Sequence, residues 1–231
     1  MPTYVITGTN RGIGLEYVRQ LSPDTSNTIF ALVRNPSNIT SDLKSFSEKY
    51  NVHTIECDVS STDSIAKLSL PEGTKINYLI NNAGIQKSGK EVALKLDADL
   101  LRQHVDTNVI GPAKVTEQLL SYLAPNAIVA NITSGMGSLK LLSDGSIPPH
   151  IPSYSISKAA LNMLTVHQAY ELKGKATVVC VDPGHVMTDM GGPSAPLAID
   201  KSASSILKKL HSLKEGDSGK FFLYDGSDVP W

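Results

Sequence analysis

Tyr154 and Lys158 stand four residues apart in Tyr154-Ser-Ile-Ser-Lys158. On a helix, residues i and i+4 share a face, so the phenol and the ammonium meet. An ammonium beside a phenol stabilises phenolate and draws the group down from roughly 10. A tyrosine held in that way can give or take a proton near neutral pH. Most Tyr-x-x-x-Lys pairs are plain helix surface, so this pair needs support from the rest of the chain. Gly8-Thr-Asn10-Arg11-Gly12-Ile13-Gly14 supplies it. The turn follows the apolar run Tyr4-Val-Ile-Thr7 and precedes Leu15, Val18 and Leu21 at helical spacing. A strand, a glycine turn and a helix together suit a dinucleotide pyrophosphate. Glycines let the backbone approach the phosphates, and the helix N-terminus offers N–H groups and positive dipole. The spacing is Gly-x-x-x-Gly-x-Gly, which alone would also fit a bare structural turn.

Those residues need elements to hold them. Apolar, strand-like runs recur at 4–7, 28–33, 53–57, 78–80, 127–132, 177–181 and 221–224, with amphipathic helical segments such as 61–70, 98–123, 153–172 and 201–213 between most of them. This alternation predicts an α/β fold over 1–231, a single domain with a Rossmann-type, doubly wound parallel sheet and helices on both faces. In such a sheet, ligands sit beyond the carboxyl ends of the strands. Gly8, Asn82, Ser134 and Pro183 all follow strand-like runs and are expected to converge on that edge. Two irregular segments, 135–152 and 184–198, interrupt the pattern. The first contains Ser143-Asp-Gly-Ser-Ile-Pro-Pro-His150, rich in turn formers.

Composition narrows the function. The chain has 231 residues, 41% hydrophobic, with a formal net charge of −1. That balance gives no electrostatic footprint for nucleic acid or an anionic membrane. No apolar run approaches the ~20 residues of a membrane span, and the first residues read directly into a strand. A cytoplasmic protein is expected. Cys57 and Cys180 lie in strand-like runs and read as reduced and buried. The six histidines lack metal-like spacing, and no metal site is expected. Ser134 lacks the Gly-x-Ser-x-Gly context of a hydrolase nucleophile.

Thr7-Gly8-x-x-x-Gly12-x-Gly14, Asn81-Asn82-Ala83-Gly84, Asn108, Ser134, Tyr154-x-x-x-Lys158 and Pro183-Gly184 occur in the order and approximate spacing of the short-chain dehydrogenases/reductases. The resemblance covers nearly the whole chain. The ending, Gly219-Lys-Phe-Phe-Leu-Tyr-Asp-Gly226 with Pro230-Trp231, resembles more narrowly the Sniffer/C-factor-like carbonyl reductases. The resemblance implies that Tyr154 is the general acid in carbonyl reduction and the base in alcohol oxidation. Lys158 would lower its pKa and hold the nicotinamide ribose, and Ser134 would donate to the substrate oxygen. Asn108 would mark a helix kink that holds a water against the lysine. Asp58 and Val59 would contact adenine, while Asn82, Ala83 and Gly84 would pass close to the adenine ribose and Asn81 would brace the sheet. Pro183, Gly184, Val186 and Thr188 would fix the nicotinamide carboxamide, and residues 191–198 would form a mobile lid. Against the family pattern, twenty residues separate Ser134 from Tyr154 instead of about a dozen, an insertion beside the expected site.

The cofactor has its own signal. An NAD site usually carries an acid after the second strand, on the ribose hydroxyls. Here Val33 is followed by Arg34-Asn35-Pro36, with no Asp or Glu. Arg34 and Arg11 suit a 2′-phosphate instead, which points to NADP(H). The expected activity is NADPH-dependent reduction of a small-molecule carbonyl. The alternatives are a reductase dedicated to a ketoacyl or polyketide intermediate, and a non-catalytic NADP(H)-binding redox sensor. Lys87, Lys90, Lys95 and Lys140 are too scattered to show the basic patch that a carrier-bound thioester would need. A homodimer is also expected. Leu101, Val105, Val109, Leu119 and Leu120, with Ala160, Leu164 and Ala169, occupy more than one stripe of the two long helical segments. Many relatives in the resembled family pair these helices in a four-helix bundle about a two-fold axis.

Overall fold

A computed structural model describes residues 1–87 and 91–231. Among them, seven parallel strands form one sheet: β1 (Thr3–Thr7), β2 (Thr28–Val33), β3 (Val52–Glu56), β4 (Ile76–Asn81), β5 (Leu123–Ile132), β6 (Ala176–Asp182) and β7 (Phe221–Leu223). Their order is β3-β2-β1-β4-β5-β6-β7. The chain winds outward from β1 to β3, then returns to place β4 on the other side of β1. That reversal opens a crevice between the carboxyl ends of β1 and β4, where doubly wound sheets bind ligands.

Side chains alternate across each strand because the repeat is two residues. Tyr4 and Ile6, with Ile29, Ala31 and Val33, join one core; Val5, with Phe30 and Leu32, joins the other. Helices α1 (Gly12–Leu21) and α2 (Ser41–Lys49) contribute Tyr17, Val18, Leu21 and Leu43 to the first face, where the last helix also packs. The opposite face is covered by α3 (Thr62–Ala66), by α4 (Ala98–Val105) and α5 (Gly111–Leu119) on the next long segment, and by a helix after β5. Short α6 (Leu139–Ser143) lies in the 135–152 insertion; α7 (Pro152–Glu171) and α8 (Ile199–Ser212) complete the set.

Three elements differ from the sequence reading. The 98–123 segment is not one continuous helix: a π-helical turn at Asp106–Ile110 separates α4 from α5, and residues from Leu123 onward already belong to β5. The apolar spacing continues through the turn, so periodicity gives no warning of it. Helix α2 is additional, and its nine residues bury only Leu43, too little for an apolar stripe. Helix α3 spans Thr62–Ala66, shorter than 61–70. The apolar residues of the long helices also divide differently than expected. Leu119 and Ala169 are core, whereas Ile110, Leu120, Ile156, Met163, Val166 and Tyr170 stand exposed. No described helix is long and apolar enough to cross a membrane.

Candidate active site

A cleft of about 780 Å³ opens at the carboxyl edge of the sheet. Its walls bring together Gly8, Asn10, Arg11, Gly12, Ile13, Arg34, Asp58, Val59, Asn82, Ala83, Gly84, Tyr154, Lys158, Pro183 and Thr188. Gly14, Asn108, Ser134, Gly184 and Val186 do not line it. Each has a nearby structural place.

The glycine turn is built by close backbone contact. Gly8 and Gly12 adopt φ of 70° and 61°, in the left-handed region that suits glycine. A Cβ on Gly8 would meet Ala83 Cα at 2.9 Å, and one on Gly14 would meet the Gly8 carbonyl oxygen at 2.3 Å. The Thr7 hydroxyl accepts from the N–H groups of Asn82 and Ala83, while Asn82 Nδ2 donates to the Thr7 carbonyl. These bonds lock the loop after β1 to the loop after β4. Asn81 reaches the other way and donates to Thr116 and Asn131, bracing the sheet. Asn10 fastens the turn to the segment after β2: its Oδ1 accepts from Thr40 N, and its Nδ2 donates to the Asn38 carbonyl. Arg34 is exposed on the rim of the cleft. Arg11 is paired with Asp189 at 2.9 Å, and both side chains are largely exposed.

Helix α7 carries Tyr154 and Lys158. Lys158 is buried; its Nζ donates to the Ile132 carbonyl at 2.8 Å and lies 5.7 Å from the centre of the Tyr154 ring. Burial lowers its pKa to about 8. The Tyr154 phenol differs from the simple expectation. Burial pushes it well above its ordinary value, partly offset by the Ser134 hydroxyl, and Asp182 adds to the rise. Desolvation of the charged phenolate outweighs favourable neighbours here. Ser134 follows β5 and caps the next turn, its Oγ accepting from Met136 N.

Asn108 sits in the π turn and is fully buried. Its Oδ1 accepts from Ile85 N at 2.8 Å, and its Nδ2 donates to the Ile85 carbonyl and to Ser157 Oγ. One amide thereby ties the loop after β4 to α7, one residue from Lys158. Gly84 passes so near that a Cβ there would lie 3.2 Å from Asn108 Oδ1 and 3.6 Å from Lys158 Nζ. His104 gave no signal in the sequence. It accepts from Lys87 N through Nε2, so its proton is on Nδ1, which donates to the Leu100 carbonyl; the ring stands edge-on to Tyr154.

The insertion forms a wall beside Ser134. Leu141 and Ile147 pack over Gly135, and the tail of the chain closes over the outside. Ser138 donates to the Pro230 carbonyl, Lys140 N donates to the Trp231 carbonyl, and Trp231 packs against Phe221. The 191–198 segment, expected to be a lid, is hydrogen-bonded back onto its own approach. Leu197 bridges Val186, Met187 N donates to Leu197 O, and Ala195 is buried.

The model of the family described as short chain dehydrogenase matches residues 2–196. The chain belongs to that family. An uncharacterised oxidoreductase of Schizosaccharomyces pombe is 36% identical over 250 residues, covering 99% of this chain and 97% of the relative. The C-signal of Myxococcus xanthus is 41% identical over 161 residues, 68% of this chain and 93% of that protein. Among solved structures, the carbonyl reductase Sniffer of D. melanogaster superposes with a TM-score of 0.90 at 29% identity, both chains being covered in full. The NADPH-bound carbonyl reductase from chicken fatty liver gives 0.87 at 30% identity, over 100% of this chain and 99% of the other. The narrower likeness to Sniffer and the C-signal group thus extends across the fold.

Proposed function

We propose that the protein is an NADP(H)-dependent carbonyl reductase. The observation that carries this reading is the meeting of Tyr154 and Lys158 with the glycine turn in one cleft. The lining fits a dinucleotide: Gly8 and Gly84 let the loops after β1 and β4 pack tightly, and Gly12, whose Cβ position has only Thr188 at 4.0 Å, presents bare backbone at the cleft. The N–H groups opening α1 lack intrahelical partners, as at any helix start, which suits a pyrophosphate held by Gly12, Ile13 and Gly14. We assign Asp58 and Val59 to adenine, Asn82–Gly84 to its ribose, and Pro183 and Thr188 to the nicotinamide end, with Gly184 and Val186, which do not line the cleft, shaping the loop between them. Arg34 and Arg11 would take the 2′-phosphate. An exposed ion pair such as Arg11–Asp189 is worth about 0–1 kcal/mol, so a dianionic phosphate can displace the carboxylate.

NADPH held in this cradle supplies the two-electron reductant. The protein's own work is alignment and a matched proton. Ser134 orients the carbonyl oxygen, and Tyr154 delivers a proton from its hydroxyl to that oxygen. The Lys158 ammonium stabilises the phenolate left behind. Asn108 acts through position, holding the loop and helix that frame the lysine.

A carrier-bound thioester would need free cations beside the mouth. Lys87 is bound to Gln103 and Lys140 to Asp144, Lys95 is exposed as a single cation, and Lys90 lies outside the described residues. We also read Ile110 and Leu120, at either end of α5, with the exposed apolar residues of α7, as the contact of a homodimer, and the cytoplasm as the compartment. Purified protein mixed with NADPH and a panel of aldehydes, quinones and α-diketones tests the activity through loss of NADPH absorbance. Cofactor binding without turnover of any of them would favour a sensor. Arg34→Asp should reduce the preference for NADPH over NADH about tenfold, one charge-assisted contact. Equal affinity of the wild type for both cofactors refutes the arginine assignment.

A further inference from the structure

Asp182 ends β6, immediately before Pro183 and Gly184. Its two carboxylate oxygens face different loops. Oδ2 accepts from Gly135 N at 2.8 Å, and Oδ1 accepts from Gly184 N at 2.9 Å. Gly135 directly follows Ser134, and Gly184 opens the segment assigned to the nicotinamide end. One side chain therefore joins the turn that presents the substrate-orienting hydroxyl to the loop that frames the cofactor. The approach is close: a Cβ on Gly135 would lie 3.0 Å from Oδ2.

Burial holds the Asp182 carboxyl above its ordinary pKa. Burial works against the carboxylate, but both oxygens accept N–H bonds, and the Lys158 ammonium lies near enough to favour the anion. A protonated acid would need an acceptor for its own hydrogen, and both of its oxygens are engaged with donors. Cys180 bears on Lys158 ahead of Asp182. Cys180, on the same strand, is held as a neutral thiol by burial, which raises it to about 12, and His104 meets the Tyr154 ring from α4. Asp182 acts on both members of the pair, and in the same direction. It favours the proton on Lys158 and the proton on Tyr154.

We propose that Asp182 is a positioning residue that ties the Ser134 turn to the Pro183–Gly184 loop and so holds a carboxyl group beside the Tyr154–Lys158 pair. The role deepens the reductase reading and rests on it, because a reductase needs the pair in its proton-bearing state.

Asp182→Asn removes the charge and turns one acceptor into a donor. In protein labelled with ¹³C-lysine, the Lys158 signal is identified by its loss in Lys158→Met. It should titrate at lower pH in Asp182→Asn than in wild type, by about half a unit or more, as expected for losing a nearby opposite charge. With a carbonyl that the wild type reduces, kcat should fall about tenfold or more through misalignment. KM should stay within about threefold, the alkaline limb of the rate profile moving to lower pH along with Lys158. A lowered melting temperature with an unmoved Lys158 titration means a purely structural clamp and overturns the proposal. If Asp182→Asn does not fold, Asp182→Ser, which keeps one acceptor and no charge, is read in the same way. Should the wild type reduce no carbonyl, the reductase reading fails, and the lysine titration still decides whether the Asp182 carboxyl is felt by the pair.

Discussion

At the scale of single residues, the site sets two opposed tendencies on one helix turn. Burial lowers Lys158 to about 8 while holding the proton on Tyr154. Below that value the ammonium is present and can stabilise phenolate as it forms; above it the lysine is neutral and the support is gone. The expected rate profile for carbonyl reduction therefore declines as pH rises through about 8, and a profile flat across that region contradicts it. Tyr154→Phe should lower turnover by about two orders of magnitude or more, the upper part of general-acid effects, and leave NADPH affinity nearly intact. Wild-type turnover in that variant sinks the assignment. The sequence made Tyr154, Lys158 and the glycine turn legible because their chemistry is local and their spacing is short. Asp182 was not singled out from the sequence, although it stands next to Pro183-Gly184 at the end of an apolar run. Its partners Gly135 and Gly184 were not visible, since the link runs through folded backbone. His104 left no trace at all, because its role depends on the Lys87 amide and the face of Tyr154.

At the scale of elements, the strands were readable because both faces of a parallel sheet are buried and each strand is a dense apolar run. Helix α2 was hidden by its polarity, and the break in the long helix by periodicity that continues through it. The π turn accommodates one extra residue relative to an α-helix and aims Asn108 at Ile85 and Ser157. Asn108→Ala should cost about 1–3 kcal/mol, since it leaves the part-buried N–H and carbonyl of Ile85 and the Ser157 hydroxyl without this partner. The same change should depress turnover by loosening Lys158, whose helix it holds. A melting temperature equal to that of the wild type would show that the amide carries no such burden.

At the scale of the whole molecule, the exposed apolar residues of α7 recur as Ile156, Met163, Val166 and Tyr170, with Met163 and Tyr170 exposed at 61% and 82%. Together with Ile110 and Leu120, which flank α5, they would form the isologous contact of the homodimer proposed above. Sedimentation velocity at micromolar concentration should show a dimer, and Met163→Glu should shift it towards monomer. A wild type that sediments as a single monomer-sized species overturns this while leaving the catalytic assignment standing. The catalytic cleft lies at the carboxyl edge of the sheet, so the monomeric variant should keep its turnover.

The wall beside Ser134 also has a chronology. Its capping hydroxyl, on Ser138, is bound to a carbonyl 92 residues further along the chain, and its next amide to Trp231. While the protein is being synthesised, the glycine turn, Ser134 and the Tyr154–Lys158 helix all emerge before those partners exist. The outer support of this wall therefore arrives only after Pro230 and Trp231 have been made, well behind the residues it braces.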